Sequence, residues 1–212
     1  MPRPPRVSPD RILAVAALEF AECGFAGARV DRIARRARVN KAMLYYHFKS
    51  KDRLYRTLLR RMFTLAADRM QTIGSADASP AEKIDRAIAG MAAFIDEYAF
   101  FPAIMLREVA EGGAHLDRDT LAALAAVPRA VGAIVQQGVA SGAFRPVNPL
   151  FAYFSMLAPV VFFLAGSPIR KELAPLVGAA STPPTADFVT HQQHAMRRFL
   201  SSAPDSLARP TT

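Results

Sequence analysis

Six residues close together near the N-terminus carry side chains suited to a polyanionic partner. They are Lys41, Ala42, Tyr45, Tyr46, His47 and Lys51, within RVDRIARRARVNKAMLYYHFKSK at positions 29–51. Lysine ammonium, tyrosine hydroxyl and histidine ring N–H groups are the donors that phosphate oxygens accept from. Alanine at position 42 lets a helix approach base edges and can meet a thymine methyl. A lysine opening a helix, as Lys51 does, points its ammonium and the free backbone N–H groups of the first turn at an anion.

Charge supports the same partner. Residues 1–61 contain 15 Lys and Arg against 5 Asp and Glu, whereas the remaining 151 residues contain 12 against 13. The net charge of +9 therefore belongs to the N-terminal module, which is the electrostatic footprint of a polyanion-binding unit joined to a neutral one. Catalytic patterns are missing: there is no G-x-S-x-G, P-loop, H-E-x-x-H or Gly-rich dinucleotide turn. The chain is not expected to be an enzyme. His191 and His194 lie three apart without an acidic or thiol neighbour in sequence, so they read as solvated or interface histidines. No metal and no cofactor are expected.

The elements that must position these residues are helices. Ser8-Pro9 opens the first, with Ile12, Leu13, Ala16, Ala17 and Phe20 on one apolar face and Gly24 at its end. A short second helix spans about Val30–Ala37, with Val30, Ile33, Ala34 and Ala37 inward and Arg32, Arg35, Arg36 and Arg38 outward. Val39 plugs the turn, and Asn40 caps a third helix over about 41–47 that Met43, Leu44 and Phe48 anchor. This is the layout of a helix-turn-helix. Ser50 caps a long fourth helix reaching about Thr72, buried along Leu54, Leu58, Met62 and Leu65, and Gly74–Ala78 reads as a loop.

Ser79-Pro80-Ala81-Glu82 is a capping box, opening a fifth helix with Ile84, Ala87, Ile88, Met91, Phe94, Ile95 and Tyr98 in register. Pro102 starts a sixth that stops at Gly112-Gly113. A seventh spans about 117–141 with a kink expected at Pro128. Asn148-Pro149 opens an eighth, apolar on nearly every side, and a ninth covers about 187–202 beyond a Pro/Gly/Ser/Thr-rich loop at 174–186. No strand-like alternation occurs, so the fold class is all-α. The stretch at 150–165 is shorter than the roughly 20 apolar residues a membrane span needs and contains Pro159. It reads as a buried or dimer-facing helix. The N-terminus lacks the apolar core of a signal peptide, and Cys23, the single cysteine, fits a reducing compartment as a small buried thiol. A cytoplasmic protein without a membrane partner is the expectation. Residues 1–7 are Pro- and Arg-rich and read as disordered.

Residues 12–58 resemble the DNA-binding domain of the TetR/AcrR family of bacterial transcriptional regulators. The resemblance rests on Phe20, Gly24, Phe25, the Val30–Ala37 helix with Ile33-Ala34, then Val39, Lys41, Leu44, Tyr45, His47-Phe48, Lys51 and Leu54. It implies an N-terminal helix-turn-helix domain over 1–50, a helical ligand-binding and dimerisation domain over 51–202 and a flexible tail over 203–212. Lys41, Ala42, Tyr45 and Tyr46 would lie nearest double-stranded DNA, with His47 and Lys51 on phosphates. Two positions depart from the family pattern. Arg29 stands where Thr or Ser caps the second helix and touches a phosphate; it can keep the ionic contact but caps poorly. Arg38 stands where the turn carries glycine, so it needs a left-handed backbone or a different turn.

The resemblance further implies a cavity among the C-terminal helices. Phe94, Tyr98, Phe101, Met105 and Phe154 are the candidate lining, drawn from a region holding eight of the 14 phenylalanines, and the effector would be small and apolar or aromatic. Arg107 and Glu108 either orient its polar end or form a helix-face ion pair. The helices at about 149–166 and 187–202 would pair across a two-fold axis, giving a homodimer on a palindromic operator. The expected function is thus a ligand-responsive regulator, with repression favoured over activation. The rival from another class is a small-molecule binding protein or enzyme with an incidental basic N-terminus.

Overall fold

The computed structural model describes residues 8–178 and 182–201. The expected disorder at 1–7 and the tail at 203–212 fall outside them. Among the described residues there are ten helices and no strand: α1 (Pro9–Gly27), α2 (Val30–Ala37), α3 (Lys41–Phe48), α4 (Lys51–Ser75), α5 (Pro80–Glu97), α6 (Phe101–Ala110), α7 (Arg118–Ala140), α8 (Pro149–Ala165), α9 (Ser167–Val177) and α10 (Thr185–Leu200).

Punctuation residues explain most of these boundaries. The Asn40 side chain accepts from the Met43 N–H at 2.6 Å, and Asn148 from Leu150 at 2.9 Å, each satisfying a donor that a helix start leaves free. Ser79 and Glu82 form a reciprocal box, with the Ser79 N–H donating to the carboxylate at 2.9 Å and the Glu82 N–H donating back at 3.3 Å. Arg53 N–H donates to Ser50 Oγ at 3.0 Å. Ser8 stands at the cap position of α1 without a side-chain cap hydrogen bond. Gly24 takes φ +68°, breaking α1 one turn before its end. The extra helix α9 overrides the loop reading at 174–177, and α4 continues through Gly74-Ser75. Pro175 lies inside α9, yet the helix persists.

Packing divides the chain into two compact units, cut differently from the motif boundary at residue 50. The first comprises residues up to Asp68 with Ala93–Val127. Here α1 packs on α2 and α6, and α2 on α3. Ile12, Phe20, Ile33, Leu44, Leu54, Leu58, Phe63 and Ile104 are all at most 2% exposed, and the Phe94 and Phe63 rings meet Phe101 edge-on at 5.5 and 6.0 Å. Leu65 is only half-buried; Leu59 and Phe63 extend the buried stripe instead.

The second unit comprises Arg69–Ala92 and the chain from Pro128. Its core gathers Met70, Ile84, Ile88, Val131, Ile134, Val135, Met156, Met196 and Leu200. α10 lies on α8, where Gln192 donates to the Ser155 carbonyl at 2.7 Å, and Arg197 pairs with Asp85. α8 buries Ala152, Tyr153, Met156 and Val160 but exposes Leu150, Phe151, Phe154 and Phe162, so it is buried on one face and not all round. By length and apolarity α7 could cross a bilayer, as could the bent pairs α5–α6 and α8–α9. Val131, Ile134 and Val135 of α7 are buried in the core of the second unit.

Candidate nucleic-acid interface

The site is built on α2 and α3, two eight-residue helices too short to persist alone. Leu44 is fully buried and Phe48 nearly so, which anchors α3 from beneath. Met43, expected as a third anchor, is 36% exposed. The opposite side presents Lys41, Ala42, Tyr45 and Tyr46, all exposed, with Tyr46 at 72%. Lys41 with Tyr45 and Ala42 with Tyr46 stand four apart and share a face. His47 is half-buried, its ring edge-on to Tyr46 at 5.3 Å, and the Lys49 ammonium lies 5.4 Å above the Tyr46 ring.

Arg38, after α2, takes the left-handed conformation at φ 57°, ψ 43°, and its N–H caps the Ala34 and Arg35 carbonyls. The chain thus keeps the turn's usual geometry and accepts the cost a Cβ carries there. Arg29 stands at the cap of α2, exposed and without a side-chain cap. A residue not anticipated from the sequence holds this end of α2 onto α1. Glu19, fully buried in α1, accepts the Arg29 backbone N–H at 3.3 Å and pairs with Arg32 at 3.4 Å and Arg36 at 3.3 Å. The sequence signals only a carboxylate interrupting the apolar face of α1, three residues after Ala16; its partners lie on another helix and are set by packing. Arg32 and Arg36 are therefore partly committed to holding α2 on α1. Arg32 also donates to the thiol of half-buried Cys23 at 3.6 Å.

Lys51 is placed differently from the sequence reading. Its ammonium donates to the carbonyls of Phe25, Ala26 and Ala28, at 2.8, 3.4 and 3.2 Å, and stands 4.6 Å over the Phe25 ring. Three acceptors use its three protons, so it caps the carboxyl end of α1 and does not face outward. On the outer face Lys41 pairs with Asp31 of α2 at 2.9 Å, and that hydrogen bond and charge raise the lysine's pKa. Beside α3 a polar cleft of about 450 Å³ is lined by His47, Lys49, Arg53, Arg56, Arg60 and Asp117 among others. Cations line it, although Arg56 is shared with Asp52 and Asp117.

Comparison with known proteins accounts for this geometry. Residues 12–58 match the family model described as bacterial regulatory proteins, tetR family, and residues 77–173 match a tetracyclin repressor-like C-terminal domain. The chain is 31% identical over 148 residues to the HTH-type transcriptional repressor KstR2 of Mycolicibacterium smegmatis, covering 68% of this chain and 71% of that one. It belongs to the TetR family of bacterial transcriptional regulators. The HTH-type transcriptional repressor SCO4008 of Streptomyces coelicolor is 43% identical over 65 residues, 30% of this chain and 34% of that protein, so the match spans about a third of that relative. Among solved structures, the regulator FadR of Bacillus subtilis in complex with stearoyl-CoA superposes with a TM-score of 0.74 at 15% identity. It covers 89% of this chain and 97% of that one, which shows a shared fold.

In this TetR-family chain the five candidate effector residues are not all neighbours. Phe94 and Phe101 are buried in the first unit with half-buried Tyr98, whose ring lies 4.9 Å from Phe94; Met105 is half-buried on α6. Phe154 belongs to the second unit, 55% exposed on α8, its ring 5.2 Å from Tyr153. None of the five lines the polar cleft or a smaller apolar one of about 230 Å³ at Ile84, Phe144 and Leu200. Arg107 and Glu108 do not form the helix-face pair either: Glu108 is buried and accepts from the Tyr55 hydroxyl at 2.8 Å, with His115 Nδ1 at 2.7 Å. Burial and that carboxylate push the Tyr55 pKa up, keeping the phenol a donor.

Proposed function

We propose that this TetR-family regulator is a repressor that binds a palindromic operator as a homodimer and is released by a small apolar effector. The observation that carries the DNA reading is the outer face of α3: Lys41, Ala42, Tyr45 and Tyr46, exposed on a helix whose other side is locked by Leu44 and Phe48. Lys41, Tyr45 and His47 would meet phosphates and Ala42 a base edge, with Arg29 adding a phosphate contact from the cap of α2. Residues 1–50 would serve as the DNA-binding domain and 51–202 as the effector-binding and dimerisation domain. No catalytic role is assigned, and the protein would act in the cytoplasm.

Homodimerisation through α8 and α10 is supported by the apolar side chains that α8 leaves exposed, Leu150, Phe151, Phe154 and Phe162. Such a face is costly to leave in water, and a two-fold partner would cover it with its own copy. An apolar effector is supported by the ring cluster Phe94, Tyr98 and Phe101 and by the acyl-CoA bound in the Bacillus subtilis relative of similar fold. Acyl thioesters are therefore the first class to screen.

The test is binding to the DNA upstream of the chain's own gene. Footprinting should show one protected palindrome, with affinity falling steeply between low and moderate salt. Addition of the effector should then abolish protection. Salt-insensitive or sequence-indifferent binding would defeat the operator reading. Transcription that rises with the protein and falls on its removal would make it an activator.

A further inference from the structure

The residues at the carboxyl end of α6 form a cluster that neither DNA nor effector binding uses. Glu108, Glu111 and His115 each direct a ligand atom to one place, and these atoms all lie within 4.8 Å of one another. His115 Nδ1 stands 2.7 Å from Glu108 Oε1 and 3.5 Å from Glu111 Oε2. Donors around a four-coordinate zinc with bonds of about 2.0–2.1 Å stand roughly 3.3–3.5 Å apart, so small side-chain movements suffice.

Backbone turns bring these side chains together. Glu108 and Glu111 are three apart at the end of one helix, and Gly112 and Gly113 take φ +66° and +75° to turn the chain back. The imidazole is then held by rings, 4.1 Å from Phe25 and 5.4 Å from Tyr55 between centroids. A second observation points to a ligand. Glu108 is 1% exposed, yet its Oε2 meets no hydrogen-bond partner among the described residues. A buried carboxylate oxygen without a donor is costly, and a cation held by the same carboxylate offsets that cost. Glu111 is about half exposed, which leaves a way in from solvent.

We infer that Glu108, Glu111 and His115 form a binding site for a divalent transition-metal cation, Zn²⁺ by ligand preference. Two carboxylates offset the ion's charge and the imidazole nitrogen selects zinc over magnesium or calcium, which take oxygen ligands. Three protein ligands leave a fourth position for water. Because Tyr55 of α4 donates to the same Glu108, an ion seated there ties the end of α6 to α4, four residues beyond Lys51.

The experiment is calorimetric titration of ZnCl₂ into the full chain stripped with a chelator, with no DNA present, so its outcome is independent of the regulator reading. One zinc per chain is expected, with zinc raising the melting temperature. Glu111→Gln, at a half-exposed position, and His115→Gln should each weaken binding at least about tenfold, the scale of losing a metal-supporting group. The double variant His191→Gln/His194→Gln, on α10, should bind as the wild type does. Co²⁺ in place of zinc should give d–d absorption bands that change in His115→Gln. Failure of the wild type to bind zinc, retention of binding in both Glu111→Gln and His115→Gln, or its loss in the α10 variant overturns the assignment.

Discussion

Asp31 holds the Lys41 ammonium at 2.9 Å on the outer face, so the proposed recognition helix carries its first cation already paired. The pair is exposed on both sides, and such pairs contribute little to stability but lower the local potential that DNA meets. Replacing Asp31 with Asn should leave the melting temperature nearly unchanged and tighten operator binding by about two- to fivefold, read by fluorescence anisotropy. Lys41→Ala should weaken binding and reduce the salt slope by about one. Lys51 separates the two roles of a basic residue. With its protons on three α1 carbonyls, Lys51→Ala should destabilise the protein by about 1–2 kcal/mol in urea unfolding, with little change in the salt slope of DNA binding.

Helix ends are where this chain departs from the family pattern, and the departures have measurable costs. Arg38→Gly at the end of α2 removes a Cβ from a left-handed backbone at φ 57°. The strain relieved, about 1–2 kcal/mol, exceeds glycine's entropic cost of roughly 0.5–1 kcal/mol. A rise of about 1–3 °C in melting temperature should result. At the start of α5, hydrogen bonds from the Ser79 backbone and then its hydroxyl hold the Glu82 pKa below its ordinary 4.5. A depressed carboxylate contributes its stability fully above the ordinary value and loses it as pH falls through the depressed one. Ser79→Ala, which keeps the backbone N–H bond and loses the hydroxyl, should therefore destabilise more at neutral pH than in acid. Thermal melts at pH 7 and below pH 4 measure the difference.

For the molecule as a whole, the proposed function depends on a second copy. Phe151 and Phe162, 64% and 75% exposed on α8, should be silent in a monomer and central in a dimer. The double variant Phe151→Glu/Phe162→Glu should run as a monomer in sedimentation velocity and keep its helical circular dichroism. It should bind a palindromic operator at least about tenfold more weakly, because joined half-sites add their affinities through effective concentration. A dimer that survives this change would place the interface elsewhere.

Local chemistry was readable in the linear chain because it acts over a few residues. The capping box at Ser79, the caps at Asn40, Ser50 and Asn148, the apolar faces of α1 and α5, and the basic module with its exposed Lys41–His47 helix follow from side chains three or four positions apart. Pairings across long separations were not readable. That Glu19 would be buried against the Arg29 N–H and two arginines of α2, that Lys51 would turn back onto α1, and that Tyr55, Glu108 and His115 would meet all depend on which helices pack together. Carboxylates, lysines and tyrosines look alike in a sequence whether solvated or buried. Only the neighbours that burial imposes decide whether such a group faces solvent or holds the fold together.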